Sequence, residues 1–360
     1  MTPGRSPGLS RSDVSSTHLR TATAAATDVG RRRHGNEDSY ALWVSDGSGR
    51  SHAADTLLVV CDGMGGSNAG EVASRMAVEA VVREFEEDTS GDAQAALHRA
   101  VDTANTEVHE HSRTRQDLQG MGTTCTAVAI LGDTLTFAHV GDSRAYLVRS
   151  GRMTQITSDH SLVAQLVARG QITAEDARHD PRRNVVTRSV GVGAVVDIDA
   201  DRMGEPLLPG DTVLVCSDGL HGQLSDEEIA KLASDGSLDR ACRTLIALAN
   251  ERGGPDNITV ALARIEGGDG GDGGYEAHEA PRARVSAAPP QPRADAPSAP
   301  VSSKARTRTL QLLIVALVIL LLVIAGIVWF MLGRMRGEAE SDAASSATST
   351  QQAESLVAWR

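Results

Sequence analysis

The stretch Leu57-Leu58-Val59-Val60-Cys61-Asp62-Gly63-Met64-Gly65-Gly66 decides how the rest of the chain is read. The apolar run from Leu57 to Cys61 predicts a strand buried on both faces, and it stops at a carboxylate followed by a glycine-rich turn. An Asp at the end of a rigid strand is a well-held ligand. Gly63 lets the chain bend sharply and turns a backbone carbonyl toward whatever Asp62 binds, because no side chain obstructs the approach. A carboxylate oxygen beside a carbonyl oxygen suits a hard cation such as Mg²⁺ or Mn²⁺.

A single Asp-Gly turn is usually no more than a turn, but this sequence repeats the arrangement. Thr134 to Val140 alternates like a strand with one buried face and ends in Gly141-Asp142-Ser143-Arg144. Asp211-Thr212-Val213-Leu214-Val215-Cys216 ends in Ser217-Asp218-Gly219. Gly253-Gly254-Pro255-Asp256-Asn257 sits just before the strand Ile258 to Leu262. Strand-end aspartates recurring so far apart predict one carboxylate cluster assembled by the fold.

The 360 residues suffice for one large domain with appendages, and the net charge of −12 excludes a nucleic-acid partner, which would want a basic face. Cys61, Cys125, Cys216 and Cys242 lack CxxC spacing and read as free buried thiols of a reducing compartment. Aromatics make up 2% of the chain, so the core is built from Val, Leu, Ile and Ala.

Residues 1–20 read as a flexible tail without a secretory signal. Thr21 to Asp28 opens the first strand, and a polar turn with Arg31, Arg32, Arg33, Glu37 and Asp38 follows. After Gly70 the apolar period becomes helical, with Val72, Ala73, Met76, Ala77, Ala80 and Val81 on one stripe and Leu97, Val101, Ala104 and Val108 on another. Met121-Gly122-Thr123-Thr124 opens a strand through Ile130. Residues 158–190, with Ser158-Asp159-His160-Ser161 and His179, read as a surface flap of short helices. Ser225-Asp226-Glu227-Glu228 is a capping box starting a helix, and Leu238 to Asn250 forms the last helix of the domain.

From Gly267 the composition turns to Gly, Ala, Pro and Arg, which predicts a disordered linker over 267–309. The uninterrupted apolar run Leu312 to Leu332, as a helix, reaches roughly the ~30 Å of a hydrocarbon core, so 310–332 is expected to be a transmembrane helix and 333–360 a short disordered tail. Lys304, Arg306 and Arg308 precede the span and Arg334 and Arg336 follow it. With reduced cysteines and no signal peptide, this slight excess predicts a single-pass protein of the cell membrane with the folded domain cytoplasmic.

Arg33-x-x-Asn36-Glu37-Asp38, Cys61-Asp62-Gly63-Met64-Gly65-Gly66, Met121-Gly122-Thr123-Thr124, Val140-Gly141-Asp142-Ser143-Arg144, Ser217-Asp218-Gly219-Leu220 and Gly254-Pro255-Asp256-Asn257 occur in an order that resembles the metal-dependent protein phosphatases of type 2C, over residues 21–266. The layout is similar to that of bacterial membrane-anchored serine/threonine phosphatases that oppose membrane kinases. The resemblance implies an α+β fold, a central antiparallel β-sandwich flanked by helices in αββα layers. Spacing alone gives only a mixed α and β domain.

The same resemblance implies two or three divalent ions, Mn²⁺ or Mg²⁺. Asp62 would bridge two of them, Gly63 would offer its carbonyl to one, and Asp218 and Asp256 would complete the other. Glu37 and Asp38 would act through water, and Asp142 would help hold a third, weaker ion. Phosphoserine and phosphothreonine of proteins would be hydrolysed by a hydroxide bridging the two ions, with no side-chain nucleophile. Arg33 is expected to grip the phosphate with paired hydrogen bonds. Many relatives carry His where this chain has Met64, and a thioether donates no proton, so the general acid stays unassigned. The competing reading is an inactive membrane-tethered sensor of phosphoproteins or metal, but none of Asp62, Asp218 or Asp256 is missing.

Overall fold

The computed structural model describes residues 19–45, 54–65 and 69–267, together with the backbone of 284–287. The expected transmembrane segment 310–332, the tail 333–360 and most of residues 1–20 and 267–309 lie outside the described residues. Among the described residues no helix is long and apolar enough to cross a membrane.

Two antiparallel sheets carry the fold. One has five strands in the order β1 (Arg20–Asp28), β11 (Ile258–Glu266), β10 (Thr212–Cys216), β7 (Arg144–Arg149) and β8 (Arg152–Gln155). The seven-stranded sheet runs β12 (Arg284–Ala287), β2 (Asp38–Val44), β3 (Thr56–Met64), β5 (Cys125–Leu131), β6 (Thr134–Val140) and β9 (Asp199–Arg202), with β4 (Gly122–Thr123) paired to β3 off that path. β12 falls inside the stretch read as a disordered linker, and its backbone pairs with β2 from Ser39 to Leu42. An antiparallel partner supplies the ladder that its Ala- and Pro-rich surroundings do not advertise.

Alternation explains why β3 is apolar from Leu57 to Cys61. Leu58 and Val60 point into the space between the sheets, where they meet Val128, Ile130, Val213 and Val215. Leu57, Val59 and Cys61 point the other way, under the helices α1 (Ala69–Glu87) and α2 (Ala93–Ser112). On the far face of the five-stranded sheet, Leu214, Cys216 and Leu262 pack against α6 (Asp226–Ser234) and α7 (Leu238–Glu251) through Ile229, Leu245 and Ile246. Each of these fully buried aliphatic side chains contributes roughly 1.5–3 kcal/mol, and together they give the helix–sheet–sheet–helix stack that the resemblance implied. All four cysteines are free and buried, as expected. The capping box of α6 forms, Ser225 and Glu228 each taking a backbone N–H of the other.

Candidate active site

The carboxylates collect at one end of the sandwich because the strands carrying them end there. In the β2–β3 ladder Asp38 lies directly opposite Asp62, and both share the face of Leu58 and Val60, toward the other sheet. From that sheet Ser217 Oγ and Thr259 Oγ1 donate to Asp38 Oδ2 at 2.8 and 2.6 Å. Asp218 opens the short helix α5 (Asp218–His221) just past β10, Asp256 precedes β11, and Asp142 follows β6.

The Met-Gly-Thr-Thr segment fixes the backbone of Asp62. Its N–H donates to Thr124 Oγ1 at 2.8 Å, and its carbonyl accepts from the Thr124 N–H at 2.8 Å and from Thr123 Oγ1 at 2.9 Å. At Gly63 no side chain fits: a Cβ there would lie 2.2 Å from the Gly70 carbonyl oxygen and 2.5 Å from that of Glu37. The backbones of Glu37 and Gly70 therefore close directly against the Gly63 Cα.

The electrostatics are those of a crowded acid cluster. Burial, then Asp38, Asp218, Asp142 and Asp256, push the Asp62 carboxyl well above the ordinary range. Asp38 is pushed up to about 7 by burial despite its two hydroxyl donors. Asp142 rises to about 7 and Asp218 to about 6, again through burial first and neighbouring carboxylates second. Glu37 is raised by burial while Arg33 pulls it down. Asp38 Oδ1 and Asp218 Oδ1 are buried with no hydrogen-bond partner. Buried carboxylate oxygens that repel one another and lack donors fit a hard divalent cation.

The set is not closed. Among the described residues no three His, Cys, Asp or Glu groups already form a ligand cluster. Asp256 Oδ2 is engaged by Arg33 Nη2 at 2.8 Å. Arg33, expected on the phosphate, thus sits half-exposed on an expected metal ligand. Arg31 and Arg32 are exposed.

Asp142 is buried, and Arg144 does not pair with it. Arg144 instead makes a bidentate bond to Asp159 at 2.8 and 2.7 Å and reaches Tyr146 Oη at 3.0 Å. His221 Nε2 donates to the Asp142 carbonyl at 3.0 Å, and burial lowers its pKa to about 3. The flap over 158–190 contains α3 (Leu162–Ala168) and α4 (Ala174–His179). Its two histidines differ: His179 is exposed and bonds only its own helix, whereas His160 is buried against the Asp142 turn. The sequence alone did not single out His139 or His221, and it left the flap histidines His160 and His179 without a role. The Asp159-His160 pair opening the flap was the one available signal.

The family described as Protein phosphatase 2C matches residues 30–262. The chain belongs to the protein phosphatase 2C family. As a member of it the chain is a serine/threonine protein phosphatase. It is 40% identical over 248 residues to a protein phosphatase 2C-type protein of Streptococcus pyogenes, covering 68% of this chain and 97% of that one. It is 38% identical over 242 residues to the serine/threonine protein phosphatase PstP of Mycobacterium tuberculosis, covering 67% of this chain but 44% of PstP. Among solved structures, the catalytic domain of PstP in complex with two manganese ions is 36% identical, with a TM-score of 0.59 over 69% of this chain and 99% of that one.

Proposed function

We propose that this phosphatase hydrolyses phosphoserine and phosphothreonine esters on proteins with two divalent ions, Mn²⁺ or Mg²⁺. Asp62, the Gly63 carbonyl, Asp218 and Asp256 would hold them, Glu37 and Asp38 would act through water, and Asp142 would help hold a third. The observation that carries this is the convergence of buried carboxylates from both sheets, with Asp38 Oδ1 and Asp218 Oδ1 unpartnered. Ions bound there supply the Lewis acidity that neutralises phosphate charge and makes water nucleophilic near neutral pH.

The chain's own groups do the positioning. The threonine hydroxyls lock the Asp62 backbone, and Ser217 and Thr259 orient Asp38. Arg33, half-exposed over Asp256, is placed to swing from that carboxylate to a phosphate, where a guanidinium makes two parallel hydrogen bonds. Met64 supplies no proton. Residues 310–332 would anchor the enzyme in the cell membrane with this domain on the cytoplasmic side, where it would oppose serine/threonine kinases. Hydrolysis of a phosphothreonine peptide by the full chain with Mn²⁺, abolished by chelator, is the expected result. Binding of the peptide without turnover would favour the inactive-sensor reading.

A further inference from the structure

The turn Gly141-Asp142-Ser143-Arg144 is held at both ends by two consecutive residues at the start of the flap. At its far end Asp159 takes Arg144 in the bidentate pair described above. At its near end the bonds to His160 are reciprocal: the His160 N–H donates to the Gly141 carbonyl at 2.7 Å, and the Gly141 N–H donates to His160 Nδ1 at 3.1 Å. Because Nδ1 accepts, the ring is the neutral tautomer with its proton on Nε2. Nε2 lies 3.1 Å from Asp199 Oδ2, and Arg188 Nη1 holds Asp199 Oδ1 at 2.9 Å. The imidazole is thus fixed from both edges. His139 packs on its face with ring centroids 4.8 Å apart.

Gly141 has little freedom of its own. Its φ is +114°, and a Cβ there would lie 2.6 Å from Thr124 Cβ. Thr124 is the residue whose hydroxyl takes the Asp62 N–H. The His160 carbonyl in turn accepts from the Thr187 N–H at 2.7 Å. One histidine therefore links the Asp142 turn, the returning limb of the flap and the edge strand β9.

We propose that His160 is a positioning residue for Asp142: its Nδ1, accepting the Gly141 N–H, fixes the direction of the Asp142 carboxylate, so ion binding at Asp142 and ordering of the flap are one equilibrium. The inference rests on Asp142 being an ion ligand. It assigns His160 no contact with substrate. Groups that orient a ligand typically change metal affinity or activity by about 10–100-fold when removed.

The test compares the full-chain wild type with His160→Leu, which keeps bulk but loses the acceptor, and His160→Asn, whose Oδ1 can stand where Nδ1 stood. Calorimetric Mn²⁺ titration is the readout besides activity. Wild type is expected to show a weaker ion beyond two tight ones. His160→Leu should keep the tight pair, weaken the third by ~10-fold or more, and lower kcat without raising KM for a small aryl phosphate. His160→Asn should recover most of both losses. Hydrogen exchange on wild type adds a measurement that needs no variant: Mn²⁺ should slow the Gly141 amide and the α3 amides over the same concentration range. If His160→Leu does not fold, Asp199→Asn, on a partly exposed side chain, should weaken the third ion by a smaller factor. Two ions only in wild type would overturn the ligand role of Asp142. Three ions in wild type, with the third unchanged in the folded variants or with Asn as damaging as Leu, would overturn the positioning role alone.

Discussion

Asp38 and Asp62 stand directly opposite each other on neighbouring antiparallel strands, and the buried Asp38 takes hydrogen bonds from the hydroxyls of Ser217 and Thr259. Like charges paired across a ladder destabilise a sheet. The consequences can be measured.

Replacing Asp62 or Asp218 by Asn removes charge without changing size. Turnover should fall by at least ~100-fold, while the chelated protein becomes more stable than chelated wild type by about 1 kcal/mol or more as repulsion is relieved. Melts with chelator and with Mn²⁺ check this. A chelated Asn variant that melts lower than wild type would contradict the repulsion.

The pH response of Asp38 has a definite sign. Its carboxyl rises to about 7 in the fold, so the fold penalises the charged form: the penalty is absent below the ordinary value of about 4 and complete above about 7. In chelator, Asp38→Asn should match wild type near pH 4 and gain on it as pH rises to 8, with a ceiling of roughly 4 kcal/mol. His139 and His221, lowered by burial to about 4 and about 3, lose their contribution as pH falls below their ordinary range. That loss is common to both proteins and cancels in the difference, which denaturant unfolding at several pH values would read.

Arg33 and Asp256 compete for each other and for their other partners. Arg33→Ala should raise KM and lower kcat, yet leave Mn²⁺ binding unchanged or tighter, because Asp256 is released from its ion pair. Weaker Mn²⁺ binding in this variant would show that the guanidinium helps to build the ion site.

Gly63→Ala forces a methyl against the Gly70 and Glu37 carbonyl oxygens. Backbone has to move, so a loss of about 1–3 kcal/mol is expected, together with most of the activity. Gly91→Ala, where a Cβ meets nothing but φ is +72°, separates backbone strain from closed space: it should cost less and leave turnover intact.

Protease added to intact cells should remove a tag placed after residue 360 and spare one placed before residue 1. The reverse pattern would invert the proposed topology.

Much of the domain was legible because two simple signals coincide. An apolar run ending in Asp-Gly marks a strand delivering a ligand, and a change of period from two to 3.6 after Gly70 marks α1 and α2. What the sequence did not show lies across the chain. Arg33 and Asp256 are 223 positions apart, and no local pattern tells a guanidinium which carboxylate it will meet. His139 occupies an alternating strand as any half-polar residue would, and only the packing of β6 beneath the flap turns it into a buried ring against His160. The Asp159–Arg144 pair was hidden in the same way, since Arg144 had a nearer acid at Asp142. β12 takes its shape from the edge of β2 rather than from its own composition.

Ser217, just past β10 of one sheet, and Asp38, in β2 of the other, are bonded to each other although 179 positions apart. Ions gripped by Asp62 on one sheet and by Asp218 and Asp256 on the other would therefore act as a reversible crosslink closing a very long loop, comparable in kind to a disulfide bond worth roughly 5 kcal/mol. The open end of the sandwich is the end they would pin. Metal scarcity would then do more than silence the enzyme: it would loosen the seam between the two sheets and expose those edges to proteolysis, tying the protein's lifetime to the supply of its ion.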